Sequence, residues 1–328
     1  KMLGVSFDSA IVVSKRWLGK EMTPEQRATV NRTIGVGYNC LGKTDSSEKY
    51  LVIGERCLEG EGIRNEVLIK IRVQLGSLYS FSDRYEKAKK YFSLALKGAS
   101  QNNDEYMVAY IQKELSKMYF TLKDTKTSVK LAKESLAYYE KEGDQIRPIV
   151  ELLNSLGNAY LHDSIELSYL YLNKALTKYK DDIDKHQLIL LRNNLANCKL
   201  EMGQSEEAIN EYKALKILCV DDESMAHFLG PFEINIGAGY LSLKQYDSAL
   251  IYVQRGKRLV KENKQKTYVY EATVNLIKIY DSIGDSAQMY RNRIKLEKLK
   301  NEMQSDVYSS ELECVQKDHD LLMREYRN

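Results

Sequence analysis

The chain has 328 residues, 43% of them hydrophobic and 29% charged, with a net charge of +3. That apolar content excludes an intrinsically disordered chain, and the small net charge gives no electrostatic case for nucleic acid. No run of about eighteen apolar residues occurs, so no segment is long and apolar enough to cross a bilayer as a helix. Only three prolines are present. Proline costs ~3 kcal/mol inside a helix, so their scarcity predicts a chain that is helical nearly throughout.

At the start, residues 6–18 (SFDSAIVVSKRWL) align with residues 245–259 (QYDSALIYVQRGKRL). Phe7, Ala10, Ser14 and Trp17 take the corresponding places. Residues 1–25 are therefore expected to be the second half of a helix pair whose first half would precede Lys1, with Trp17 in a core or stacking position. The chain opens on a lysine and not on methionine, as a trimmed protein or fragment does.

From residue 26 to residue 300 one frame recurs. LGSLYSFSDRYEKAKKYFSLAL (75–96) and IGAGYLSLKQYDSALIYVQRGK (236–257) share an apolar residue, Gly, two further residues and Tyr. A break, an aromatic residue, Ala and a further apolar residue follow in both. The small position of this frame falls at Gly35, Gly76, Ser116, Gly157, Ala196, Gly237 and Ile277, at intervals of 41, 40, 41, 39, 41 and 40 residues. The small residue and the residue three later share one helix face. That face carries Tyr38, Tyr79, Tyr119, Tyr160, Tyr240 and Tyr280, expected to fill the gap between neighbouring pairs. Ala88, Ala208 and Ala249 on the second helices would let the two helices of a pair approach closely. Polar turns such as Leu41-Gly42-Lys43 and Met202-Gly203-Gln204 suit short helix–helix connections. The fold predicted is seven helix pairs, with no strand.

Residues 286–328 lose the signature and carry eight Lys/Arg against eight Asp/Glu. Leu296, Leu299 and Met303, then Leu312, Val315, His319, Leu322 and Tyr326, mark a narrow apolar stripe on a charged C-terminal helix. Such a helix would cap the last repeat or form a coiled-coil stalk joining two copies in a homodimer.

The sequence offers little chemistry. Cys40, Cys57, Cys198, Cys219 and Cys314 are odd in number and form no CxxC, which predicts buried apolar thiols. His162, His186, His227 and His319 have no partners at metal-ligand spacing. No phosphate loop, nucleophile elbow or zinc-protease motif occurs. No cofactor and no catalytic activity are expected.

The repeat resembles the tetratricopeptide family in a long-period form, over nearly the whole chain. The usual proline after the second helix is absent. Arrays of this period look like those of bacterial peptide-sensing regulators, kinesin light chains and the sensor halves of membrane-anchored Bacteroidetes regulators. The resemblance implies an all-α, right-handed superhelical solenoid of antiparallel helix pairs, with the first helices lining the inner face. The family's ligand-contacting sites fall here on Lys113, Lys117 and Phe120, on Asn154, Asn158 and Leu161, and on Asn193, Asn197 and Leu200. One repeat earlier they fall on Val73, Ser77, Ser80 and Phe81. Asparagine both donates and accepts, so the four amides would hold an extended peptide by its main chain. The arrangement departs from the family's carboxylate clamp. The function implied is a non-catalytic protein- or peptide-binding scaffold, the sensor region of a periplasmic, membrane-anchored signalling regulator. The alternative is a cytoplasmic peptide-responsive regulator.

Overall fold

The structure, a computed structural model, describes residues 7–60 and 62–302. Among the described residues every regular element is helical. Helix α1 (Phe7–Trp17), which packs on α2, is followed by the pairs α2 (Pro24–Cys40) with α3 (Thr44–Arg56), α4 (Glu66–Phe81) with α5 (Tyr85–Gln101), and α6 (Glu105–Thr121) with α7 (Thr125–Glu142). Then come α8 (Ile146–Tyr160) with α9 (Ile165–Lys178), α10 (Lys185–Glu201) with α11 (Ser205–Val220), and α12 (Leu229–Ser242) with α13 (Tyr246–Glu262). Helix α14 (Lys266–Ser282) pairs with α15, described over residues 286–302. A short 3-10 helix, Glu223–Phe228, leads into α12. The chain divides into two compact units, the first running to Lys141 and the second beginning at Glu142.

Local chemistry fixes where these helices start and stop. Thr23 and Asp184 open α2 and α10 with capping boxes, each accepting from the backbone of a glutamine that reaches back to it. Within a pair the turn is nearly always one left-handed residue: Gly42, Asp83, Lys123, Gly203, Lys244 or Gly284. The amide after it then returns to the carbonyl five residues earlier, as in Arg84 to Tyr79 and Gln245 to Tyr240, both 2.9 Å. This closing bond satisfies a carbonyl that the helix end would leave bare. Between α8 and α9 the N-cap Ser164 follows its tyrosine by four positions instead of five, and no left-handed residue occurs. There Ser164 donates to the Tyr160 carbonyl instead, at 2.9 Å.

The small position is a socket. A methyl group on Gly76 would sit 2.8 Å from the Phe92 ring, and one on Gly157 would sit 2.5 Å from Leu172. Each socket therefore receives a large side chain from its own second helix, and Phe92 and Leu172 are fully buried there. In the third pair the first helix has Ser116 and the second has Ala132, and the Ser128 hydroxyl donates to the Ser116 carbonyl at 2.8 Å. Ala88, Ala208 and Ala249 are completely buried.

The tyrosines do more than fill the gap between neighbouring pairs. They stack within a pair, Tyr38 on Tyr50, Tyr79 on Tyr91, Tyr160 on Tyr171 and Tyr240 on Tyr252, with ring centroids 5.3–5.8 Å apart. The hydroxyls of Tyr38, Tyr79 and Tyr240 also bridge to the preceding second helix. Lys15 donates to Tyr38 at 2.7 Å, Tyr79 donates to Glu48 at 2.9 Å, and Lys213 donates to Tyr240 at 2.9 Å.

Glu48 also accepts from Arg84 at 2.8 Å. Partial burial raises its carboxyl, but the bonds from Arg84 and Tyr79 outweigh this and hold it below the usual range. A carboxylate depressed in the folded state contributes stability above its unfolded value and loses it as pH falls through the folded value. The stability lost in Arg84→Ala should therefore be about 1 kcal/mol at pH 6 and should shrink toward zero in acid. Urea melts of both proteins at pH 6 and pH 3 check this; an equal gap at both would remove the ion pair from the account.

Two expectations need correction. Trp17 is 49% exposed, with the Lys20 ammonium 4.3 Å above its ring, because no described helix covers that side of α1. Cys40 is exposed at the end of α2, and Cys57 is only partly buried, whereas Cys198 and Cys219 are buried. In the seventh of the expected pairs, α15 buries Met289 and Asn292 although the repeat signature is lost after residue 285. The proposed stalk or cap beyond residue 302, and Cys314, lie outside the described residues.

Candidate functional site

In the first unit, α4 packs against both α2 and α6, so three first helices lie side by side. Their shared face holds a groove of about 530 Å³. Asn39 and Cys40 line it from α2, Ser77, Ser80 and Phe81 from α4, and Lys117 and Thr121 from α6. Phe81 is 80% exposed, more than any other large apolar side chain among the described residues. An aromatic ring so placed loses favourable burial that a bound partner would restore.

The expected residues of this unit divide. Phe81 and Lys117 meet in the groove, with Ser77 and Ser80 beside them. Phe120 is partly exposed but does not line it. Val73 is buried. Lys113 does not reach the face either: it is 6% exposed, its ammonium 5.1 Å above the Tyr110 ring and 3.3 Å from Glu114. The helix turns it into the packed layer, where an aromatic face and a carboxylate compensate its charge. Glu114 lies 3.4 Å from Lys117 as well.

In the second unit the amides form a connected row. Asn194 on α10 donates to the Asn154 side chain on α8 at 2.8 Å and accepts from Asn193 at 3.1 Å. Asn235 on α12 reaches Asn193 and Asn197, both at 3.4 Å. Tyr212 on α11 donates to Asn197 at 2.5 Å. Burial pushes the Tyr212 phenol far up, so it stays protonated and remains a donor. Three successive first helices are thus joined amide to amide.

These bonds sort the expected residues by what they have left to offer. Asn154, Asn193 and Asn197 spend their side-chain oxygens on neighbours, while the Asn154 and Asn197 amide nitrogens keep donors uncommitted among the described residues. Asn158, one turn after Asn154, makes no side-chain hydrogen bond among the described residues. It is half-buried, as are Leu161, three residues after it, and Leu200, three residues after Asn197. Such a row offers donors at intervals along a face and no nucleophile or acid–base pair. Asn194 and Asn235 were not singled out from sequence. The signal was there: the site two residues before the small position is Asn194, Asn235 and Asn275 in three successive repeats.

Among the described residues no three of His, Cys, Asp and Glu gather as a metal site, and no helix is long and apolar enough to cross a membrane.

No protein-family model matches the sequence, and no curated protein does. Solved structures do match. A Rap protein complexed with Competence and Sporulation Factor is 19% identical over 87% of this chain and 79% of its own, with a TM-score of 0.66. A tetratricopeptide repeat protein from Parabacteroides merdae ATCC 43184 is 14% identical over 94% of this chain and 99% of its own, at 0.57. The Rap conjugation gene regulator of the plasmid pLS20, in complex with the Phr* peptide, is 13% identical over 91% and 96%, at 0.53. At these identities the likeness speaks for the fold, which is the all-α tetratricopeptide type.

Proposed function

We propose, from this tetratricopeptide-type fold and its open first-helix faces, that the chain is a non-catalytic scaffold that binds a protein or an extended peptide. Its role would be the sensor or interaction region of a bacterial signalling regulator. The observation that carries the reading is Phe81, a bare aromatic ring in a 530 Å³ groove lined by hydroxyls, an amide and the Lys117–Glu114 pair. The amide row of the second unit supports it. Exposed aromatic anchors dominate binding energy where a partner desolvates them, and amide donors fix a main chain without regard to its sequence. In the leading reading the sensor works in the periplasm as part of a membrane-anchored protein. A second reading, a cytoplasmic peptide-responsive regulator, is favoured by the fold likeness to a Rap regulator solved with the Phr* peptide.

The test is selection of a random decapeptide library displayed on phage against the whole immobilised chain. Enriched peptides should carry an apolar anchor, and their affinity should fall by about tenfold in Phe81→Ser at an unchanged melting temperature. Absence of enrichment, or peptides indifferent to both Phe81→Ser and Asn158→Ala, would remove these faces from the function.

A further inference from the structure

The second unit ends on a groove whose filling the rest of the unit illustrates. Helix α10 packs on both α8 and α9, α12 packs on α11, and α14 packs on both α12 and α13. In this unit each described helix pair before the last therefore receives the first helix of the next. The groove between α14 and α15 comes next in that series, and no described helix lies in it. It measures about 690 Å³ and has an apolar floor of Val274, Ile277, Ile294 and Leu296. Ile294 is 60% exposed.

The rim has a sign. Lys278, Arg293 and Lys298 stand around the floor. The carboxylate among them, Glu297, already accepts from Lys300 at 3.0 Å. The neighbouring α13–α15 contact is cationic too: burial, then Lys295 and Lys261 alongside, brings the Lys257 ammonium down to about 8. Each feature specifies the occupant. The spacing of two antiparallel helices accepts a third helix, the floor asks for an apolar stripe, and the rim asks for acidic flanks.

We propose that the α14–α15 groove docks an amphipathic α-helix of a partner protein, one with an apolar stripe bordered by Asp and Glu. This surface is separate from the faces that carry the peptide-binding reading, so either can fail without the other.

The probe is a pair of fluorescein-labelled helical peptides of 17 residues, the length of α14. Both carry leucines at i, i+3, i+4 and i+7; one has glutamate flanks and the other lysine flanks. Anisotropy titrations with the full chain should show the glutamate peptide binding about tenfold more tightly, with the advantage fading as salt rises. Ile294→Glu should weaken it by about tenfold at an unchanged melting temperature. The double substitution Arg293→Glu, Lys298→Glu should favour the lysine peptide. Equal binding of the two peptides, or indifference to Ile294→Glu, would overturn the proposal. Two other occupants would overturn it as well. A disulfide between Ile294→Cys and Cys314 within one free chain would assign the groove to residues 303–328. A dimer in sedimentation that Ile294→Glu dissolves would assign it to a second copy.

Discussion

Lys216→Ala should destabilise the second unit by about 3 kcal/mol, one of the largest losses expected from any single side chain outside the apolar core. The cause is Glu233 on α12, whose side chain is 1% exposed. One carboxylate oxygen takes a short hydrogen bond from Lys216 on α11, with Arg255 on α13 at 3.6 Å. The other oxygen is buried with no partner among the described residues. Removing Lys216 leaves the buried negative charge with only Arg255 beside it among the described residues, a longer contact from a side chain that is itself 44% exposed. Removing the charge instead has the opposite logic. Glu233→Leu keeps the volume and lets both cations reach water, so it should cost less than about 1 kcal/mol. Urea melts of the two variants decide the matter: equal losses would mean that the carboxylate is not held by this pair.

Gly256→Ala should cost about 2 kcal/mol, although alanine favours a helix over glycine by ~1 kcal/mol. The reason is contact with main chain. A methyl group there would lie 2.8 Å from both the Gly230 carbonyl oxygen and the Ile234 nitrogen, and 2.7 Å from an Ile234 side-chain carbon. Backbone on α12 cannot rotate aside as a side-chain tip can, so α12 and α13 must separate and loosen Val253 and Val260 between them. Gly62→Ala, with open space around it, is the control and should stay within about 0.5 kcal/mol. Because repeats couple mainly to neighbours, amide exchange should accelerate first in α12 and α13. A neutral Gly256→Ala would mean that the two helices do not approach as closely as described.

Most of the fold was legible because a tandem repeat states the same packing instruction many times. Gly76, Gly157 and Gly237 mark sockets at one register, and Phe92, Leu172 and Val253 answer them from the second helix. What periodicity cannot express is a contact made once. Glu233 sits in a largely apolar stretch, and its two cations lie 17 residues before and 22 residues after it, on different helices. Lys113 and Lys117 look equivalent from spacing, one turn apart. The structure turns one onto Tyr110 and leaves the other in the groove. The tyrosines were placed at the right helix position, but their stacking partners eleven or twelve residues later belong to no family site. Trp17 misled because alignment to a complete pair supplies a covering helix that no described residue provides.

The central claim is that the first-helix faces, and not the outer helices, hold the ligand. A photoreactive benzoylphenylalanine at a chosen position tests it most directly, with a peptide enriched from the displayed library as the probe. Placed at Phe81 or Asn158, on α4 and α8, it should crosslink to the peptide on irradiation. Placed at Glu207, exposed on the second helix α11, it should not. Crosslinking at Glu207 with none at Phe81 and Asn158 would contradict the account and move the binding surface to the second helices.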